Sequence, residues 1–238
     1  VLFQGLIYST ATELYSVWNS GTTYALNQRV IWNTKIYESL QNGNTNQNPL
    51  TTPTFWLDLG SDNRHAALDT KIGSVTSADT ELKMIISSQK VDSLALLNLD
   101  ASVIGVSVFD LYTSDLIYSN TFGSSGVAVN DWFQYFFFDP LTKRTQAVLS
   151  GIGGLSPNTV IALNLKVAAG SQAKLGSLIA GETEQLGATQ YAPKVGITDY
   201  SKKEADQFGN ISVVERPFSK RLSADIYFPN YDLNRIQR

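Results

Sequence analysis

Three of the four tryptophans in this chain lie within one short stretch, residues 18–60. The same stretch carries Tyr24, Tyr37 and Phe55, set among short polar side chains. An aromatic ring offers a flat apolar face of negative potential, and nearby Asn, Thr and Gln side chains offer hydrogen-bond donors and acceptors. Such a surface suits the C–H face and the hydroxyl groups of a neutral sugar. Because so short a stretch cannot bury a conventional aliphatic core, its rings must form the core, the binding surface or both.

The spacing inside this stretch predicts two short strands joined by a tight turn. Residues alternate in character at Val30 and Trp32 and again over residues 36–38, which is typical of strands. Residues 33–35, Asn-Thr-Lys, form the predicted connection. Residues 41–54 are rich in Asn, Thr, Gly and Pro and predict a loop.

These residues resemble the small chitin-binding-type (family 5/12-like) carbohydrate-binding module found on chitinases. The family has a Gly-Asp turn before its Val, where this chain has Asn-Gln-Arg at residues 27–29. The resemblance implies a glycan-binding module whose ligand face lies near Tyr37 and Trp56, so we expect these two rings to be exposed. Trp18 is the second choice as a carbohydrate-binding residue, and Trp32 is expected in the core. The residues that match the family pattern are Trp18, Tyr24, Val30, Trp32, Tyr37, Pro49 and Trp56.

Composition argues against several classes of function. With 43% hydrophobic and 16% charged residues and abundant Asn, Ser and Thr, the chain suits an all-β extracellular or virion-type protein. A net charge of −3 argues against the basic surface that nucleic-acid binding requires. The chain has no cysteine and one histidine, His65, so we expect no disulfide, no metal site and no cofactor. No apolar run approaches the ~20 residues of a membrane span, so we expect no membrane insertion.

We also predict that the protein is not an enzyme and has no catalytic residue. With a single histidine, the one conventional nucleophile arrangement open to the chain is a Ser-His-Asp triad, and no Gly-x-Ser-x-Gly elbow supports it. The nearest carboxylate cluster for glycoside hydrolysis is Asp199 with Glu204 or Asp206. Acids in such a charged turn usually form a solvated surface.

Residues 66–188 predict a β-sandwich. Apolar runs are separated by Asp, Asn, Gly, Ser and Pro about every ten residues, which is the spacing of a sandwich. The runs at 91–99, 103–109 and 116–118 resemble the galactose-binding-like (discoidin-type) jelly roll. The aromatic run at 132–138 predicts a central core strand, with a second sugar platform as the alternative. The predicted strands are 82–87, 91–99, 102–112, 116–122, 132–138, 146–152 and 159–168.

The sequence therefore predicts an all-β chain of three folded parts. The first five residues resemble the remnant of a picornaviral 3C protease tag site, and we leave them out of the predicted fold. A possible lead-in strand occupies residues 6–9, and residues 61–65 form a polar linker. The predicted segments are 1–5 (tag remnant), 6–60 (aromatic module), 66–188 (sandwich) and 189–238 (C-terminal β extension).

The C-terminal extension carries strands at 194–201, 211–215 and 224–228 but few apolar neighbours for them. Asp232 resembles a helix N-cap, and the chain is expected to stop within that element. We therefore interpret the extension as an assembly element completed by a partner, and expect a homo-oligomer with a trimer as the first guess.

Three motifs of this extension, Gly-Ile-Thr-Asp-Tyr-Ser (196–201), Phe-Gly-Asn (208–210) and Val-Val-Glu-Arg-Pro-Phe-Ser-Lys-Arg (213–221), resemble minor tail proteins of bacteriophages. Those proteins carry the chitin-type module near the N-terminus. The resemblance implies a virion tail protein for host attachment, with host cell-surface polysaccharide and other tail proteins as partners. Two alternatives stay open: an assembly protein whose module has lost sugar affinity, and a non-catalytic fragment of a secreted chitinase-like enzyme.

Overall fold

The computed structural model describes residues 3–71, 73–123, 132, 136, 145–153, 158–184, 187–191, 193–205, 211–214, 216 and 218–227. Apart from a 3-10 helix at Ala66–Leu68 and the two helical residues Trp132 and Phe136, the elements assigned within them are β-strands, which confirms the predicted all-β class. The chain forms two compact units, Val1–Thr183 and Glu184–Arg238.

The strands of the first unit are β1 (Phe3–Ser9), β2 (Thr23–Tyr24), β3 (Arg29–Trp32), β4 (Lys35–Ser39), β5 (Asn44–Thr45), β6 (Trp56–Ser61), β7 (Thr76–Asp79), β8 (Glu81–Gln89), β9 (Ser93–Asp100), β10 (Val103–Asp110), β11 (Leu116–Gly123), β12 (Gln146–Ser150), β13 (Asn158–Lys166) and β14 (Gln172–Gly181). Those of the second unit are β15 (Ala188–Thr189), β16 (Lys194–Asp199), β17 (Lys202–Ala205), β18 (Ile211–Val214), β19 (Phe218–Ser223) and β20 (Ile226–Tyr227).

Two antiparallel sheets form the predicted sandwich. The five-stranded sheet has the order β1-β8-β13-β10-β11, and the four-stranded sheet has the order β12-β9-β14-β7. From β8 to β10 and from β11 to β14 the chain crosses between the sheets at each step, as in Greek-key and jelly-roll sandwiches. This arrangement confirms the sandwich class.

Strict alternation in the central strands produces the sandwich core. Every second residue of β8 and β13 is buried, because successive side chains of a strand point to opposite faces. The register places these buried side chains directly opposite one another across the two strands. The opposed pairs are Leu82 with Leu165, Met84 with Leu163 and Ile86 with Ile161.

No predicted strand covers β14, although it lies in the middle of the four-stranded sheet. Its pattern is broken at Gly176, which stands opposite Asn98 of β9, where the backbone has a φ of +52°. A Cβ on Gly176 would lie 2.5 Å from the Asn98 Cβ, so the two strands fit together only with glycine at this position. The break in the pattern is therefore a packing requirement between neighbouring strands.

The expectation that residues 132–138 form a central core strand is wrong at the two positions that the structure describes. Trp132 and Phe136 have helical backbone and are 77% and 70% exposed. Their rings stack with centroids 6.2 Å apart. The other residues of this run lie outside the described part of the chain.

The N-terminal strand belongs to the sandwich. β1 begins at Phe3 and pairs with β8, so the five-stranded sheet includes residues 3–5 of the tag-like stretch and residues 6–9, which the sequence assigned to the aromatic module. The aromatic module therefore follows the first strand of the sandwich and precedes the next.

The predicted polar linker is held firmly by hydrogen bonds. The Asn63 amide Nδ2 donates to the carbonyl oxygens of Thr12 and Ser77 at 2.8 and 2.9 Å, and its Oδ1 accepts from the Ser77 amide at 2.9 Å. His65 Nδ1 lies 2.6 Å from Oδ1 of the buried Asp62. These contacts fix the end of the module against the start of the sandwich.

The described strands of the second unit form two-stranded antiparallel pairs: β15 with β20, β16 with β19 and β17 with β18. Every residue of β16 is exposed, so neither face of its strand pair is covered along this strand. Val195 of β16 and Leu222 of β19, which stand opposite one another, are 80% and 71% exposed. The predicted N-cap Asp232 lies outside the described residues.

Candidate functional site

The aromatic module is built on a three-stranded antiparallel sheet of the order β3-β4-β6. β3 and β4 are the two strands that the alternation predicted, and their two-residue turn consists of Asn33 and Thr34, with φ of 49° and 65°. Two successive residues with positive φ define a type I′ turn, whose twist matches a hairpin. The Asp62 amide donates to the Thr34 carbonyl oxygen at 2.9 Å, which ties this turn to the end of β6.

One face of this sheet carries the aromatic cluster. Tyr24, Val30, Tyr37 and Trp56 are buried together, and Trp18, Trp32 and Phe55 pack against them. Tyr37 is 4% exposed and Trp56 is 2% exposed. The expectation that these two rings are exposed is therefore wrong. The physical reason is that the module has few other large apolar side chains with which to form its core, so its central strands contribute their rings.

Trp56 is fixed by both packing and a hydrogen bond. Its ring meets that of Tyr24 edge to face, with centroids 5.3 Å apart, and its Nε1 donates to the Gln47 carbonyl oxygen at 2.9 Å. The Tyr24 hydroxyl in turn accepts from the Asn19 amide at 2.7 Å. These are contacts of a structural core, and they leave no ring face open to a ligand.

Trp18 and Trp32 form a second aromatic pair at the edge of the cluster. Their ring centroids lie 5.1 Å apart at an interplanar angle of 72°, and both side chains are only partly buried. Trp18 is held in place through its backbone, because its amide donates to the Ile31 carbonyl oxygen at 2.9 Å. Trp32, which the sequence placed in the core, instead lies at its margin. These two rings are the tryptophans of the module that retain exposed surface.

A charged pair lies beside Trp32. The register places Trp32 directly opposite Lys35, so their side chains share one face of the hairpin with Cβ atoms about 5 Å apart. Lys35 Nζ lies 2.6 Å from Asp58 Oδ2. Burial acts to raise the pKa of Asp58, but hydrogen bonds from Lys35 and from the Gly60 amide hold that pKa below its ordinary value. The same hydrogen bond raises the pKa of Lys35.

Hydrogen bonds of two asparagines order β5 and the loop that follows it. Asn44 is fully buried and its Nδ2 donates to Ser39 Oγ at 3.0 Å. Asn48 Oδ1 accepts from the Leu50 amide at 2.9 Å, and the Asn48 carbonyl oxygen accepts from the Thr52 hydroxyl at 2.7 Å. Asn and Thr residues of this loop therefore form hydrogen bonds within the loop itself, as in Asx turns.

The arrangement combines aromatic rings with charged groups on one surface. Two angled indole rings offer apolar area, and Lys35 with Asp58 offers a donor and acceptors beside them. The carboxylates proposed for hydrolysis lie in the second unit, where Asp199 accepts from the Ser201 amide and Glu204 pairs with Lys202. Asp206 lies outside the described residues.

Two further features bear on function. Within the described part of the chain, no three His, Cys, Asp or Glu side chains are grouped as metal ligands. Among the same residues no helix has the length and apolar character needed to cross a membrane.

No known protein family and no curated protein matches this chain. Among solved structures, a fucose-binding module of Streptococcus pneumoniae matches at 10% identity and a TM-score of 0.33, over 51% of this chain and 85% of that one. The C-terminal domain of a chitobiase from Bacteroides fragilis matches at 13% identity and a TM-score of 0.33, over 51% of this chain and 81% of that one. A structure of reduced XRCC1 bound to the DNA pol beta catalytic domain matches at 6% identity and a TM-score of 0.30, over 44% of this chain and 76% of that one. Similarity at this level identifies neither a ligand nor a partner of this chain.

Proposed function

We propose that this protein is a non-enzymatic component of a bacteriophage tail that binds host-surface glycan through its aromatic module. The observation that carries the glycan site is the pair of partly exposed rings, Trp18 and Trp32, beside the ion pair of Lys35 and Asp58. The tail role rests on the resemblance of residues 196–201, 208–210 and 213–221 to minor tail proteins. Host cell-surface polysaccharide is the proposed partner of the module, and the virion is the proposed location.

The chemistry of the pair suits a neutral sugar. A pyranose ring packs its C–H face on an indole, while its hydroxyl groups exchange hydrogen bonds with a neighbouring ammonium group and carboxylate. Lys35 and Asp58 form an ion pair, so the pair itself adds no net charge beside the two rings. Trp18 therefore keeps the binding role that the resemblance assigned to it, and Trp32 replaces the buried Tyr37 and Trp56.

The test is binding of the intact protein and of Trp18→Ala and Trp32→Ala variants to chitin and to isolated host-cell envelope. Loss of one stacking ring should weaken binding about tenfold, or by about 1–2 kcal/mol. Tyr112→Ala is the matched control, because Tyr112 carries an exposed ring that lies outside the module. Circular dichroism of each variant shows whether it is folded. Folded Trp18 and Trp32 variants that bind as tightly as the parent would show that the site is elsewhere.

The non-enzymatic part of the proposal has its own test. Incubation with chitin, peptidoglycan and lipopolysaccharide fragments should release no new reducing ends. Release by the parent that disappears in Asp199→Asn or Glu204→Gln would overturn it.

An assembly role is the second proposed function, and the exposed strands of the second unit favour it. Isolated two-stranded ribbons are marginally stable in water, and exposed apolar side chains such as Val195, Phe218 and Leu222 are typical of a surface that a partner covers. Identical copies around a tail axis would cover it symmetrically, and a trimer is our first expectation. Other tail proteins are the alternative partners.

A further inference from the structure

A shallow groove crosses the outward face of the five-stranded sheet of the sandwich. Its volume is about 310 Å³, which is at the lower end of the range for small-molecule sites. It is separate from the aromatic module in sequence, and its lining comes from five strands of one sheet. The residues lining it are Tyr8, Lys83, Ile85, Gly105, Ser107, Thr121, Ala162, Leu163 and Asn164.

Two small residues in neighbouring strands create the depression. Gly105 of β10 lies between Asn164 of β13 and Thr121 of β11, and Ala162 of β13 is the direct neighbour of Ser107. Gly105 and Ala162 are therefore diagonal neighbours on one face of the sheet, and the missing side-chain volume at these two sites opens one continuous groove. A Cβ added to Gly105 would meet its nearest neighbours at 3.6 Å, an ordinary contact distance, so glycine is not needed here for packing.

The walls of the groove are polar, with one aromatic ring. Ser107, Thr121 and Asn164 bring hydroxyl and amide groups, and the half-exposed Tyr8 adds a phenol ring from the edge strand β1. Asn164 Oδ1 is buried and accepts no hydrogen bond from the described residues. A hydroxyl group entering the groove is the donor that this oxygen lacks.

The charged residue of the lining, Lys83, shares one carboxylate with Lys166. Lys83 Nζ lies 3.0 Å from Glu81, and Lys166 Nζ lies 3.3 Å from the same carboxylate. Lys83 therefore already has a counter-ion, so a ligand does not need to bring a negative charge to the groove. The hydrogen bond from Lys83 also outweighs burial and holds the pKa of Glu81 below its ordinary value, so this pairing persists at neutral pH.

We propose that this groove binds a short neutral oligosaccharide, as a second glycan site independent of Trp18 and Trp32. Hydroxyl and amide walls match sugar hydroxyls, and the Tyr8 ring matches a pyranose C–H face. An added peptide strand is a poorer occupant, because β8, β13 and β10 are each paired on both sides and offer no free backbone edge. Two sites on one chain strengthen attachment to a polymer through multivalency.

The experiment uses the full chain carrying both Trp18→Ala and Trp32→Ala, so that binding at the module is weakened and the groove is measured by its own signals. The probes are tetrasaccharides of N-acetylglucosamine, glucose, galactose and mannose, followed by NMR of the Ala162 and Ile85 methyl groups. At least one probe should shift these signals in a saturable way. Adding Gly105→Val, whose Cβ lies at ordinary contact distances and whose two methyl groups take up groove volume, should lower the affinity at least tenfold. Tyr8→Ala, at an exposed edge position, should lower it about tenfold.

Gln89→Val is the matched control, because it adds a β-branched side chain to the outward face of β8 outside the groove. It should leave the affinity unchanged. Absence of saturable shifts with all four probes, or equal affinity in folded Gly105→Val and Tyr8→Ala, would overturn the proposal. The proposed function of the module is tested separately, by comparing sugar binding of the parent with that of the Trp18→Ala variant.

Discussion

At the residue scale, the decisive fact is which rings of the aromatic module face inward. Tyr37 and Trp56 match the family pattern as well as Trp18 does, yet both are buried while Trp18 and Trp32 keep exposed surface. The pattern of residue types is the same whether a ring fills the core or binds a sugar. Exposure therefore separates the two roles, and it depends on the neighbours that each ring acquires in the folded module.

Replacing Trp56 should accordingly affect stability rather than binding. Trp56→Ala removes a buried ring, its contact with Tyr24 and its hydrogen bond to Gln47, and large-to-small changes of this kind cost about 3–5 kcal/mol. Denaturant unfolding measures this loss. Leu57→Ala on the same strand is the control, because Leu57 is exposed and should cost well under 1 kcal/mol. Equal stability of the two variants would contradict the burial of Trp56.

Asp58 should make the module sensitive to acid. Its folded-state pKa is lowered, so the stabilisation that it provides is present above the unfolded pKa of about 3.9 and is lost as the pH falls through the folded value. Asp58→Asn lacks this contribution. Thermal unfolding should show the parent as the more stable protein at pH 6 and a shrinking difference below about pH 4. High salt is the control, since screening should reduce the difference at pH 6. A difference that stays constant with pH would contradict this role of Asp58.

At the scale of elements, the β3–β4 hairpin was predictable, whereas the hydrogen bonding of the linker was not. Alternation around a short polar turn indicates a hairpin because both signals are local. Residues 61–65 look like a linker because they are polar, but Asn63 bonds residues on two other segments. A buried hydrogen-bond network and a solvated linker can have the same composition, so only the fold distinguishes them.

The turn of this hairpin offers a stabilising change. Thr34 has a φ of 65°, which is strained for a β-branched residue, whereas the second position of a type I′ turn favours glycine. Thr34→Gly should therefore stabilise the first unit by about 1 kcal/mol, seen as a rise in Tm of about 2–4 °C. Asn33→Gly is the control and should change little, because asparagine tolerates this conformation. A fall in Tm for Thr34→Gly would show that the Thr34 side chain makes a compensating contribution.

At the scale of the whole molecule, the two units differ in how they bury apolar surface. The first unit encloses a sandwich core between two sheets, whereas the described strands of the second unit leave large apolar side chains in water. A chain that keeps such strands folded needs another surface to cover them. This difference supports the proposal that the second unit serves assembly.

Removing the second unit should therefore change the oligomeric state and leave sugar binding intact. A chain ending at Thr183 should be a folded monomer, while the intact chain should form a homo-oligomer, with a trimer as the first expectation. Light scattering coupled to size exclusion measures both, and Val195→Asp in the intact chain is the point-variant control that should reduce assembly. An intact chain that is monomeric at micromolar concentration would contradict self-assembly.

The sequence by itself determined the all-β class, the sandwich and the module hairpin, because strand alternation and turn residues act over a few neighbouring positions. It also pointed to an aromatic stretch with the chemistry of a sugar-binding surface. The tertiary structure decided which rings of that stretch are core, how β14 fits against β9 through Gly176, and where small residues of β10 and β13 form a groove. Burial and groove shape depend on residues far apart in the chain, and so no local pattern in the sequence carries them.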